Sequence, residues 1–199
     1  MRTDMGTAGR IEVVCGPMFA GKSEELLRRV RRARLAGLDV EVINHSLDDR
    51  RGTGTVSSHA GQSAEAHMVA DVPALMALVD LMGVLEGRTP DLVAIDEAQF
   101  FGPGLLDAAT ELAGRGIVVV VAGLSVTFDA RPFEPLPALM AVAESVTKLT
   151  AVCARCGRDA AFHQRVRAGA VGDALVPGAE HVGGIESYQP RCRLHLETS

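Results

Sequence analysis

Gly16-Pro17-Met18-Phe19-Ala20-Gly21-Lys22-Ser23 conforms to G-x-x-x-x-G-K-[ST], a pattern that commits its flanks to a strand before and a helix after. Each position has a physical task. The glycines let backbone N–H groups curl around phosphate oxygens, and the positive end of the following helix points at the same anion. Lys22 sets a charge near the β- and γ-phosphates, and Ser23 is a ligand for Mg²⁺. The flanks agree with the pattern. Residues 11–15 are apolar and β-branched, as in a buried strand. From Ser23 to about residue 36, Leu26, Leu27, Val30 and Ala33 share one helical face and the arginines mostly share the other, before Gly37 offers a stop. Nucleotide binding, with ATP and Mg²⁺ as the implied cofactors, is the direct expectation.

Beyond this unit, strands alternate with helices. Strands are expected at 39–44, 92–95, 117–122 and 146–152, and helices at 71–85, 104–113 and 139–144. Residues 117–121 are an unbroken β-branched run, as required of a strand covered on both faces. The polar stretch 46–68 reads as a long loop or weak hairpin, and 131–137, with its prolines, as a loop. Such alternation predicts an α/β fold with a parallel sheet. After residue 152 apolar runs become scarce, so a boundary is placed near 150: residues 1–150 form an ATP-binding domain and 151–199 a small second one. The net charge of −5 argues against a general nucleic-acid partner. No apolar stretch approaches the roughly 20 residues of a membrane span, and residues 1–10 lack the apolar segment of a secretory leader, so a cytoplasmic location is expected.

Leu92-Val93-Ala94-Ile95-Asp96-Glu97 is an apolar strand ending in two carboxylates. In phosphate-loop proteins an aspartate at this place holds Mg²⁺. Glu97 then stands near the γ-phosphate, suited to take a proton from whatever attacks it. The spacing leaves open whether that nucleophile is water or a substrate hydroxyl.

Cys153 and Cys156 form C-x-x-C, and Cys192 and His195 form C-x-x-H after 35 intervening residues. Three thiolates and one imidazole fill a tetrahedral Zn²⁺ with no position left open, which describes a structural site. Redox use of the C-x-x-C is the rival reading, but no thioredoxin-like helix start surrounds it. The fourth cysteine, Cys15, falls in the first strand as core.

Taken together, these segments resemble the type II thymidine kinases, which join a RecA-like ATP domain to a small zinc-bound lasso. Residues 16–23 match the family's G-P-M-F-x-G-K-[ST], including Pro17, Met18 and Phe19, which no generic phosphate loop requires. Asp96-Glu97-Ala98-Gln99-Phe100-Phe101 matches D-E-A-Q-F-F. Leu124, Thr127, Phe128, Pro132 and Phe133 fit L-D-x-x-F-x-x-x-P-F, and Asp48-Asp49-Arg50 fits D-x-R. Residues 144–153 fit the run into the zinc site, and Gly183-Gly184-Ile185-Glu186-Ser187-Tyr188 with Cys192-Arg193 fits the lasso and its return.

The resemblance implies a function: transfer of the ATP γ-phosphoryl to the 5′-hydroxyl of thymidine in pyrimidine salvage, with deoxyuridine as a second acceptor. Glu97 would be the general base. Lys22 and Arg50 would offset charge on the moving phosphoryl, and Ser23 and Asp96 would serve Mg²⁺. Gly16, Pro17, Met18, Phe19, Ala20, Gly21, Lys22 and Ser23, with Asp96, Glu97, Ala98 and Gln99, would hold the nucleotide. Met18, Phe100, Leu124, Phe128, His163 and Tyr188 would line the pyrimidine pocket. The lasso residues Ala179, Glu180, His181, Val182 and Gly183 would hydrogen-bond the base. A homotetramer and feedback inhibition by dTTP are implied as well. Two positions depart from the pattern: Ser125 stands where the family usually has Asp, and His163 where it often has Thr. An imidazole at the base edge takes up room for a 5-methyl, so weaker discrimination between thymidine and deoxyuridine is expected. An imidazole turned to solvent would leave that discrimination unchanged. A water-activating ATPase that remodels nucleic acid and a non-catalytic zinc module switched by nucleotide are the competing readings.

Overall fold

The computed structural model describes residues 8–47, 54–57, 63–87, 89–165 and 188–197. Its centre is a six-stranded sheet in the order β5-β2-β6-β7-β1-β8, every neighbouring pair parallel. The strands are β1 (Arg10–Gly16), β2 (Val40–His45), β5 (His67–Val69), β6 (Leu92–Ile95), β7 (Val118–Leu124) and β8 (Ser145–Lys148). The chain is therefore α/β with a parallel sheet.

Strand side chains alternate between two cores. Val13, Cys15, Val93, Ile95, Val119 and Val121 face one core, filled by Leu75 and Val79 of α2 (Val72–Glu86), Leu105 and Leu112 of α3 (Leu105–Gly114), and Leu136 and Leu139 of α4 (Leu136–Val142). Val14, Leu92, Ala94, Val118 and Val120 face the other, covered by Leu26, Leu27, Val30 and Ala33 of α1 (Lys22–Leu35). Both faces being covered is why these strands tolerate runs of valine. Leu26 is fully buried, so its truncation to Ala would cost about 2–5 kcal/mol.

The two longest helices open differently. Asp71 caps α2, its Oδ1 accepting the Ala74 N–H at 2.8 Å, and Pro73 lies in the first turn. In α1 the cap position is Gly21 at φ 82°, and no side chain there accepts a hydrogen bond. The N–H groups at the start of α1 are thus not taken by a side-chain cap, the condition an anion site requires.

The structure departs from the sequence expectations in three places. The strand expected at 146–152 is two strands. β8 pairs with β1, Leu149 N–H then donates to Cys15 O at 2.7 Å, and β9 (Ala151–Val152) turns away to pair antiparallel with β10 (Asp159–Ala160). The helix expected at 139–144 is α4, which begins three residues earlier because Pro137 is accommodated in its first turn. Within 46–68, β3 (Thr55–Ser57) and β4 (Ser63–Glu65) form the weak hairpin, while β5 adds an edge to the main sheet. At the C-terminal end β11 (Phe162–Arg165) pairs antiparallel with β12 (Tyr188–Arg191), followed by a 3-10 turn at Arg193–His195. Among the described residues no helix is long and apolar enough to cross a membrane.

Candidate functional site

The site lies at the carboxyl ends of β1, β6 and β7, where open parallel sheets bind ligands. Strand register puts the pieces level: Gly16 is aligned with Leu124, and Ile95 with Val121. Gly16 ends β1, residues 17–21 make the turn, and Lys22 and Ser23 open α1. A Cβ at Gly16 would stand 2.6 Å from Leu149 O, so only glycine fits where β1 passes the chain leaving β8. Phe19 is held at φ 66°, in the left-handed region that non-glycine residues seldom adopt. Such strain persists where surrounding structure over-determines a binding loop. Lys22 Nζ donates to Pro17 O at 2.8 Å, folding the cation back over the loop.

Asp96 directly follows β6 and is buried. Burial, and next the charge of Glu97, push its carboxyl up to about 7, while the Ser23 hydroxyl, the Glu97 N–H and the Lys22 charge pull the other way. A buried carboxylate in hydrogen-bond contact with Ser23 and beside the phosphate loop is a donor set that fits Mg²⁺. Glu97 adopts φ 51° and begins a 3-10 turn over Ala98–Phe101. Its N–H donates to Asp96 Oδ1 at 2.9 Å, and its Oε2 accepts from Gln99 Nε2. Ala98 and Gln99, the first two residues of that turn, are both buried.

Met18, Leu124, Phe133 and Tyr188 form one buried cluster, with Phe19 and Phe128 packed against it. Four of the residues expected around the pyrimidine (Met18, Leu124, Phe128 and Tyr188) are thus brought together, and Phe133 joins them. Phe100 is buried but packs at a tilt against His45, ring centroids 5.7 Å apart, outside that cluster. His163 is only 1% exposed, so the reading in which it faces solvent is wrong. Its ring meets Tyr188 edge-on at 5.8 Å, and its Nδ1 accepts from the Met18 N–H at 3.5 Å. Sequence reasoning missed Arg165. Its guanidinium lies 4.3 Å over the Phe128 ring and donates to the Tyr188 hydroxyl at 3.2 Å. The available signal was period two: His163 and Arg165 share one face of β11. Arg50, Ala179, Glu180, His181, Val182 and Gly183 lie outside the described residues.

The sulfur and nitrogen atoms of Cys153, Cys156, Cys192 and His195 all lie within 4.8 Å of one another. Cys156 Sγ and Cys192 Sγ are 3.7 Å apart, close to the edge of a tetrahedron with arms of about 2.3 Å, the Zn–S distance. His195 Nδ1 stands 3.3 Å from Cys192 Sγ and 3.8 Å from Cys153 Sγ. Burial raises the Cys153 thiol, but the N–H groups of Cys192, Arg155 and Cys156, with His195, outweigh it and bring it down to about 5. The donor set and its spacing fit zinc.

A family model described as thymidine kinase matches residues 9–196. A thymidine kinase of Deinococcus deserti is 46% identical over 192 residues, 95% of each chain. One of Halobacterium salinarum is 45% identical over 186 residues, 94% of this chain and 93% of its own. One of Bdellovibrio bacteriovorus is 42% identical over 191 residues, 96% of this chain and 87% of its own.

Proposed function

The chain belongs to the thymidine kinase family, and from that premise we propose that it transfers the γ-phosphoryl of ATP to the 5′-hydroxyl of thymidine with Glu97 as general base. The observation that carries the proposal is the meeting, at the carboxyl ends of the central strands, of the phosphate loop, the Asp96-Glu97 pair and the Met18–Tyr188 cluster. Glu97 takes the proton from the 5′-oxygen as that oxygen bonds to the γ-phosphorus. The bond from the γ-phosphorus to the bridging oxygen breaks, and ADP leaves with the electron pair. Backbone N–H groups at the start of α1 hold the phosphates, and Lys22 swings from Pro17 O to offset the moving charge. Arg50 adds a second cation. Ser23 and Asp96 would hold Mg²⁺, which supplies charge neutralisation at the β- and γ-oxygens when bound.

Met18, Leu124, Phe128 and Tyr188 supply flat apolar walls for the base, with Phe100 at their margin and the backbone of residues 179–183 reading its polar edge. Residues 1–150 act as the ATP domain, and residues 151–199 as the zinc-bound lasso that closes over the nucleoside. Deoxyuridine is a second acceptor. A cytoplasmic homotetramer inhibited by dTTP completes the proposal. A panel of nucleosides with Mg²⁺ and ATP tests it: thymidine should be phosphorylated well ahead of purine nucleosides. Nucleoside-independent ATP hydrolysis stimulated by DNA or RNA would replace it with the ATPase reading.

A further inference from the structure

The geometry points to Gln99 as the residue that positions Glu97, not as a ligand of the nucleotide, an inference that rests on Glu97 being the base. Gln99 is 1% exposed, so its amide has no open side to offer a phosphate. Both ends of that amide are committed within the protein. Its Oε1 accepts the N–H of Leu124, at the end of β7, at 3.0 Å. Its Nε2 donates to Glu97 Oε2. The first bond decides the second. A backbone N–H needs an acceptor, so the amide oxygen must face Leu124 and the NH₂ must face the carboxylate. The reversed amide would oppose two donors at one end and two acceptors at the other.

Neighbouring residues are cut to fit this bridge. A Cβ on Gly123 would stand 2.9 Å from Gln99 Oε1, 2.9 Å from Leu136 Cδ2 and 3.2 Å from Ala98 Cβ. Glycine at 123 therefore lets the 3-10 turn press onto β7. Glu97 needs such a hold because its backbone sits at φ 51°, which other residues rarely adopt unaided. The Glu97 N–H is tied to Asp96 and its carbonyl accepts from the Phe100 N–H at 3.0 Å. Gln99 extends this hold to the side chain. By holding Oε2 it fixes the orientation of the carboxylate that meets the 5′-hydroxyl proton. The rigid end of β7, which also carries Leu124 of the aromatic cluster, thereby sets the distance between base and acceptor.

A double-mutant cycle on the full chain decides the matter. Gln99→Leu removes both bonds at similar volume, and Gln99→Met serves should that variant unfold. Misplacing a reacting group typically costs on the order of 10–100-fold, so kcat should fall by about that factor. The KM for thymidine and the Kd for Mg²⁺ with a non-hydrolysable ATP analogue should stay within about twofold. In a Glu97→Gln background the same change should lower kcat by less than about twofold, because the effect runs through the missing base. Multiplicative losses in the double variant, or weakened analogue binding with kcat retained, would overturn the positioning role and leave the base assignment standing. A Glu97→Gln enzyme near the wild-type rate would instead overturn the base assignment itself.

Discussion

At the scale of single residues, the site mixes groups held in strained positions with groups buried where charge is costly. Phe19 and Glu97 take left-handed backbone angles on either side of the phosphate site, and Asp96 is buried beneath it. His163 is the most distinctive residue here. It is packed between the phosphate loop and Tyr188, turned away from solvent. One methyl in an apolar pocket is worth about 1–3 kcal/mol, so a modest loss of room can erase the preference for thymidine over deoxyuridine. His163→Thr should raise the ratio of kcat/KM for thymidine to that for deoxyuridine. Steady-state kinetics with both nucleosides check this, and an unchanged ratio would show that the imidazole does not reach the 5-position.

At the scale of elements, α1 ties the phosphate loop to the body of the sheet. Glu25 in its first turn accepts from Arg28 Nε at 2.5 Å and from Arg29 Nε at 2.9 Å, and Arg29 reaches on to Glu12 and Thr147. The Arg28 hydrogen bond is the main reason that the Glu25 carboxyl is held down to about 2 from its ordinary 4.5. A depressed acid stabilises the fold fully above its unfolded value and loses that contribution as pH falls through its folded value. The urea midpoints of wild type and Glu25→Gln should therefore differ at neutral pH and converge between about 4.5 and 2. A gap persisting below that window would mean the effect is not ionic. The elements differed in how far they could be read beforehand. α1 and the strand of valines were legible because period 3.6 and continuous burial leave strong patterns. β5 was not, because three residues with one exposed histidine carry no period. The break between β8 and β9 was invisible because residues 146–152 look extended throughout; the change is one of partner, from β1 to β10, which no local pattern marks. The phosphate loop and the carboxylate pair were legible as motifs. The bridge from Gln99 to Leu124 was not, since it depends on the register of β7 beside β6.

At the scale of the whole molecule, a sheet with two cores carries the chemistry, and a cysteine cluster pins the chain beyond residue 150. Among its described residues that region has small hairpins and a four-residue core of Ala151, Cys153, Ala160 and Cys192. A zinc ion bound by Cys153, Cys156, Cys192 and His195 would add the cross-link that so small a core lacks. Purified protein should contain about one zinc per chain. Cys156→Ser should loosen residues 153–197, seen as faster hydrogen exchange there, with α1 and β7 still protected. Chelator-free preparations without zinc would contradict this. In the proposed reaction the carboxylate of Glu97 draws the proton from a nucleoside hydroxyl and not from water. Its most direct test follows ADP and dTMP together in wild type and Glu97→Gln, with and without thymidine. Wild type should form both products in equal amounts only when thymidine is present, and the variant should bind ATP yet turn over on the order of 10²–10⁴ times more slowly. ADP formed at the full rate without thymidine, or a variant as fast as wild type, would contradict it.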